Sequence, residues 1–101
     1  MDCSYFKEHI LDELCGSEEY VKTAIELKGT NPAWSKTYLE MSANELEHAS
    51  KLYKIYSETY ASLSEAYKTI PEYLSACHTC VVSEYSERST RIKELHAQYA
   101  W

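Results

Sequence analysis

Residues 32–53 read PAWSKTYLEMSANELEHASKLY. Asn31 before Pro32 is a helix start, with Asn as N-cap and Pro at the first helical position. No further Gly or Pro occurs until Pro71, so the segment predicts a helix from Pro32 to about Tyr67, some ~10 turns at ~3.6 residues each. The question it raises is why Glu45 and His48, three residues apart, fall where apolar residues belong.

Working outward, the first helix is expected from about Ser4 to Lys28, with Gly29 as the C′ glycine. Thr69 and Glu72 have capping-box spacing ahead of a third helix over residues 71–99. Both connections are short, so successive helices must run antiparallel. The expected fold is all-α: one domain, 1–101, built as an antiparallel three-helix bundle, a helical hairpin plus a third helix. The composition agrees, with 45% hydrophobic residues, two Gly and two Pro in 11.7 kDa, enough for one core without a staple.

A net charge of −6 argues against phosphate or nucleic-acid binding, which needs clustered Lys and Arg. The first residues carry charges throughout, so no signal peptide is read, and no apolar run approaches the ~18 residues of a membrane span. The expectation is a cytoplasmic protein whose four cysteines serve as thiols or ligands rather than as a disulfide framework.

At helical period, Trp34, Tyr38, Met41, Leu52, Tyr56 and Leu63 define one face of the second helix, with Glu45 and His48 inside it. Ile10, Leu14, Val21 and Ile25 form the first-helix stripe, and Glu18 fills its gap. Leu74, Cys77, Val81, Ile92, Leu95 and Tyr99 line the third helix, with Glu84 at the edge of that face, Arg88 on it and Glu87 off it. Counting from the turns sets Glu18 level with about residue 43, and Glu87 level with about residue 50. Carboxylates in an apolar layer need compensation. A divalent metal supplies it: carboxylate oxygens with one neutral imidazole suit iron or manganese, and also zinc. The competing reading is a hydrogen-bonded polar layer of Glu18, Glu45 and His48 that sets helix register, with Arg88 as counter-charge.

Glu18 followed by the E-x-x-H of Glu45 and His48 resembles the ferritin-like superfamily in its rubrerythrin-like form. The pattern is also similar to short helical proteins of phage and prophage genomes of gut bacteria, from about Asp12 to Tyr99. The resemblance implies Glu18, Glu45 and His48 as metal ligands, Glu84 or Glu87 as a fourth, and iron as the metal, with manganese or zinc as alternatives. It also implies a bacterial host cell, with association to a virion as a further location. A complete di-iron site takes a second Glu and E-x-x-H, which this chain lacks. Either the site holds one metal, or two chains pair in a homodimer or larger assembly to complete it.

Other features carry less. Cys77-His78-Thr79-Cys80 has C-x-x-C spacing, and Cys3 is counted roughly level with Cys80. A zinc set of Cys3, Cys77 and Cys80 with His78 or His9 competes with plain packing of Cys77 and half-exposure of Cys80, which is preferred. Gly16 inside the first helix costs about 1 kcal/mol against Ala and allows close approach beside the polar residues. Tyr53, Tyr56, Tyr60 and Tyr67 spread around the second helix and suggest an interface. No nucleophile with an adjacent base and no phosphate loop is present. Small size, acidic charge and surplus tyrosines motivate a second functional reading, an acidic helical binding protein, a virion component or an inhibitor of a host defence protein, acting through a protein partner.

Overall fold

The computed structural model describes residues 1–101 as three helices and no strand: α1 (Cys3–Leu27), α2 (Pro32–Ala66) and α3 (Glu72–Tyr99). They form a rod of 57 × 17 × 16 Å running up, down and up. Cross-contacts fix these directions. Ser17 meets Ser42 and Ala24 meets Ser35, so α1 and α2 are antiparallel. Cys3 meets Cys77 and Glu18 meets Arg91, so α1 and α3 are parallel.

The caps explain the helix ends, and two differ from expectation. The Asn31 side chain accepts from the Trp34 amide at 3.2 Å, with Pro32 in the first turn. Asp2 caps α1 in the same way through the Tyr5 amide. Gly29 does not use its freedom, because no residue has positive φ. Instead the chain continues in a tight turn in which the Leu27 carbonyl accepts from the Thr30 and Asn31 amides. The Thr69–Glu72 capping box does not form; Pro71 is the N-cap of α3, without a side-chain hydrogen bond.

The core is rotated away from the stripe that large apolar residues suggested. On α2 the buried positions are Ser35, Ser42, Ala49 and Tyr56, a period of seven, whereas Trp34 is 64% exposed and Met41 is also exposed. The α1 positions facing them include Ser17 and Ala24, both fully buried. Small side chains at these positions let the α1 and α2 backbones come close enough for hydroxyls to reach across. Ser17 Oγ donates to the Ser42 carbonyl at 2.8 Å, and Ser42 Oγ donates to the Ser17 carbonyl at 2.7 Å. Ser35 Oγ donates likewise to the Ala24 carbonyl.

Larger side chains bridge α2 to α3, whose backbones stay farther apart. Tyr53 stacks on Tyr85 with ring centroids 4.0 Å apart, and Tyr60 stacks on His78 at 3.6 Å. The tyrosines of α2 are thus partly an internal seam: Tyr56 is buried and Tyr53 and Tyr60 half-buried, while Tyr67 is exposed. Ile10, Leu14, Leu74, Val81 and Ile92 complete the core, and fully burying each such side chain stabilises by about 1.5–3 kcal/mol. Cys3 and Cys77 are joined by a disulfide, correcting the expectation that the cysteines are thiols or ligands. Cys15 and Cys80 are free.

Candidate metal centre

The polar layer that fixes register is present, but serines and a different histidine make it. Both hydroxyl protons of Ser17 and Ser42 are committed to backbone carbonyls, so His96 Nε2, 2.9 Å from Ser42 Oγ, must be the donor to that oxygen. Burial lowers the His96 pKa, which favours the neutral ring, and the hydrogen bond to Ser42 selects its Nε2–H tautomer. Arg88 is not part of the layer. Its guanidinium pairs with Glu84 at 2.8 Å and reaches Cys15 Sγ.

Glu45 and His48 lie at the margin of the α1–α2 interface, because the core faces along Ser42 and Ala49. Their partner is Glu13. One carboxylate oxygen each from Glu13 and Glu45 and a ring nitrogen of His48 all lie within 4.8 Å of one another. His48 Nδ1 is 3.6 Å from Glu13 Oε2 and 3.8 Å from Glu45 Oε1. The two carboxylates are each about 30% exposed and the imidazole 55% exposed, so the cluster opens to water on one side.

Three features give the cluster its chemistry. Glu13 Oε2 is buried and accepts no hydrogen bond. The Glu45 pKa is raised, first because its protonated form can hydrogen-bond the facing Glu13 carboxylate, then by burial and by the Glu13 charge, with His48 acting against these. Gly16 leaves room for the Glu45 carboxylate: a Cβ there would lie 3.2 Å from Oε2. Two carboxylates facing each other with an orphaned oxygen need a positive centre, either a proton or a cation. Hard oxygen donors with one imidazole are a set that Fe(II), Mn(II) or Zn(II) accepts.

The other residues singled out in the sequence are held elsewhere. The Glu18 carboxylate bonds Lys22 at 2.9 Å and Arg91 at 2.7 Å, and these two cations hold its pKa below the usual carboxylate range. Arg88 does the same for Glu84. Glu87 is exposed and does not join the cluster. Glu13 was missed because it was sought in the gaps of an apolar stripe. The level count could have found it: if residue 18 lies beside about residue 43, residue 13 lies beside His48, and Glu13 flanks the buried Leu14.

No protein-family model, curated protein or solved structure matches this chain. No helix is long and apolar enough to cross a membrane.

Proposed function

We propose that this chain is a small metal-binding helical protein whose cation is held by Glu13, Glu45 and His48. The observation that carries the reading is the buried, unpartnered Glu13 Oε2, 3.6 Å from the His48 ring in a cluster that also holds the Glu45 carboxylate. A divalent ion would neutralise the two carboxylates that otherwise contend for one proton, and water would reach its open side. Iron, manganese and zinc all suit the donors. The ferritin-like resemblance enters through the E-x-x-H of Glu45 and His48, with Glu13 in place of Glu18 as the α1 carboxylate. A bound redox metal would supply reactivity toward oxygen species, and the chain's own residues would hold and orient it.

Elemental analysis of protein purified without an affinity tag and dialysed against Fe(II), Mn(II) or Zn(II) tests this. One ion per site in the native chain, lost on His48→Ala with the helical signal intact, is the expected result. Metal content unchanged by that substitution would sink the assignment. Light scattering in the same experiment decides whether the site belongs to one chain or to a dimer.

A second reading has its own observation. Trp34, Tyr38 and Met41, spaced as one helical face on α2, border a shallow exposed pocket on an acidic protein. An acidic helical protein that docks a partner through this face would keep binding after Glu13, Glu45 and His48 are replaced together and lose it with Trp34→Ala.

A further inference from the structure

A second group of reactive side chains lies toward one end of the bundle, where α1 and α3 begin and the second half of α2 lies beside them. It contains the Cys3–Cys77 disulfide, the free thiol of Cys80, and the side chains of Tyr56 and His78. Nothing in the proposed metal chemistry uses them.

The two sulfurs of the bridge are not equivalent. Cys3 is 5% exposed, whereas Cys77, packed at the edge of the core, is half-buried and the more exposed of the two. An attacking thiolate from solvent therefore reaches Cys77 Sγ, and Cys3 is the sulfur that must leave. The fully buried Tyr56 places its hydroxyl 3.6 Å from Cys3 Sγ and 2.7 Å from His78 Nδ1. The His78 ring is held by stacking on Tyr60. Tyr56 is kept as a hydroxyl rather than a phenolate, its pKa pushed up to about 12 by burial first and then by Tyr60 and Tyr53. In the disulfide state the Tyr56 proton can go to His78. When Cys3 leaves as a thiolate, the Tyr56 hydroxyl turns from His78 to donate to that sulfur. Stabilising the departing thiolate speeds exchange.

Cys80 stands one helical turn beyond Cys77, with Cα atoms about 5 Å apart by helix geometry and within the span of a disulfide. We propose that Cys3, Cys77 and Cys80, with Tyr56 as hydrogen-bond donor to the leaving sulfur, form a thiol–disulfide exchange site for low-molecular-weight thiols or protein dithiols. In the first step the incoming thiolate bonds Cys77 Sγ as the Cys3–Cys77 bond breaks, and Cys3 departs with the electron pair. In the second, the Cys80 thiolate attacks the Cys77 sulfur of the mixed disulfide, closing Cys77–Cys80 and releasing the incoming thiol as its thiolate. No net oxidant or reductant is consumed. The outcome is transfer of the bridge from α1 to within α3, which uncouples the start of α1 from the third helix. Cys80 is a participant in the exchange, and His78 is a positioning residue acting through Tyr56.

The test uses the full chain with the Cys3–Cys77 bridge intact and Cys15 and Cys80 as free thiols, exposed to reduced glutathione, quenched by alkylation and mapped by peptide mass. In the native chain Cys3 becomes the first newly alkylated residue and a Cys77–Cys80 bridge accumulates. Cys80→Ser instead retains glutathione on Cys77. Tyr56→Phe slows Cys3 release about five- to tenfold and raises the pH at which the Cys3 thiol of the reduced chain reacts, a readout that a structural role alone would not move. His78→Gln gives the intermediate effect in both readouts. Glutathione found on Cys3, a bridge that opens only at the rate of global unfolding, or reduced Cys3, Cys77 and Cys80 holding one zinc ion would each overturn the proposal.

Discussion

Ser17 and Ser42 donate their hydroxyls to each other's backbone carbonyl across the α1–α2 interface, at 2.8 and 2.7 Å. Each therefore satisfies its own polar group while allowing two helices to lie unusually near, and the second oxygen also receives His96 from α3 at 2.9 Å. All three helices are pinned in register at this level. The cluster of Glu13, Glu45 and His48 sits about one turn away and inherits that register.

Removing the shared acceptor should be felt in stability. Ser42→Ala leaves the half-buried His96 Nε2–H without a partner, and an unsatisfied buried donor costs about 1–3 kcal/mol. Chemical denaturation should show that loss, with a fall in Tm of about 4–8 °C per kcal/mol for a domain of this size. A change within experimental error would show that the serine layer is incidental to register.

Acid should destabilise the fold through His96 and His78. Burial depresses both folded pKa values, while the unfolded imidazoles titrate near ~6.5. Between those values the unfolded chain binds more protons, so the stability these groups contribute is complete above pH ~6.5 and is lost as pH falls below it. Denaturant midpoints measured from pH 8 to pH 5 check the sign, and His96→Gln should flatten the curve.

Glu45 acts in the opposite sense. Its folded pKa is raised by Glu13, so its favourable contribution is complete below the ordinary carboxylate range and fades as pH rises through the raised value. Glu45→Gln should therefore stabilise the metal-free chain at neutral pH relative to the native residue, with the difference vanishing in acid, and should weaken metal uptake. Equal destabilisation at every pH would contradict the carboxylate-pair account.

Gly16→Ala separates helix propensity from site geometry. Alanine favours the helix by about 0.5–1 kcal/mol. The new Cβ would stand 3.2 Å from Glu45 Oε2, and that carboxylate is the end of a flexible side chain that can swing aside. The metal-free variant should be as stable as the native chain or more so, yet bind metal more weakly. Unaltered affinity in a calorimetric titration would mean that Glu45 is not a ligand in the position described.

Glu18→Ala should leave metal stoichiometry intact. Its carboxylate is occupied by Lys22 and Arg91, and the effect on stability should stay within about 1 kcal/mol, because both cations are largely exposed. Loss of bound metal would restore Glu18 to the ligand set that its place in the sequence suggested.

The helices were legible because their signals are local: Asn31–Pro32 opens α2, and no breaker interrupts it before Pro71. The burial direction was not, because the residues at the centre of the α1–α2 contact are Ser17, Ala24, Ser35, Ser42 and Ala49. Apolar surface area weights Trp34 and Met41 far above these, yet close backbone approach selects small side chains and leaves the large ones outside. That rotation moved Glu45 and His48 from the core to its margin and hid Glu13. Glu18 was misleading for a related reason: a carboxylate beside a buried stripe reads as core-facing until Arg91, distant in sequence, is seen to meet it. The Cys3–Cys77 bridge spans 74 residues, and level counting had paired Cys3 with Cys80, one turn further along.

The most direct test of the metal centre is an anomalous-difference map from crystals soaked in Zn(II) or Mn(II). One strong peak per chain is expected within bonding distance of carboxylate oxygens of Glu13 and Glu45 and of a His48 ring nitrogen. A map with no peak there, or with its peak at Glu18, Glu84 or Cys80 instead, would contradict it.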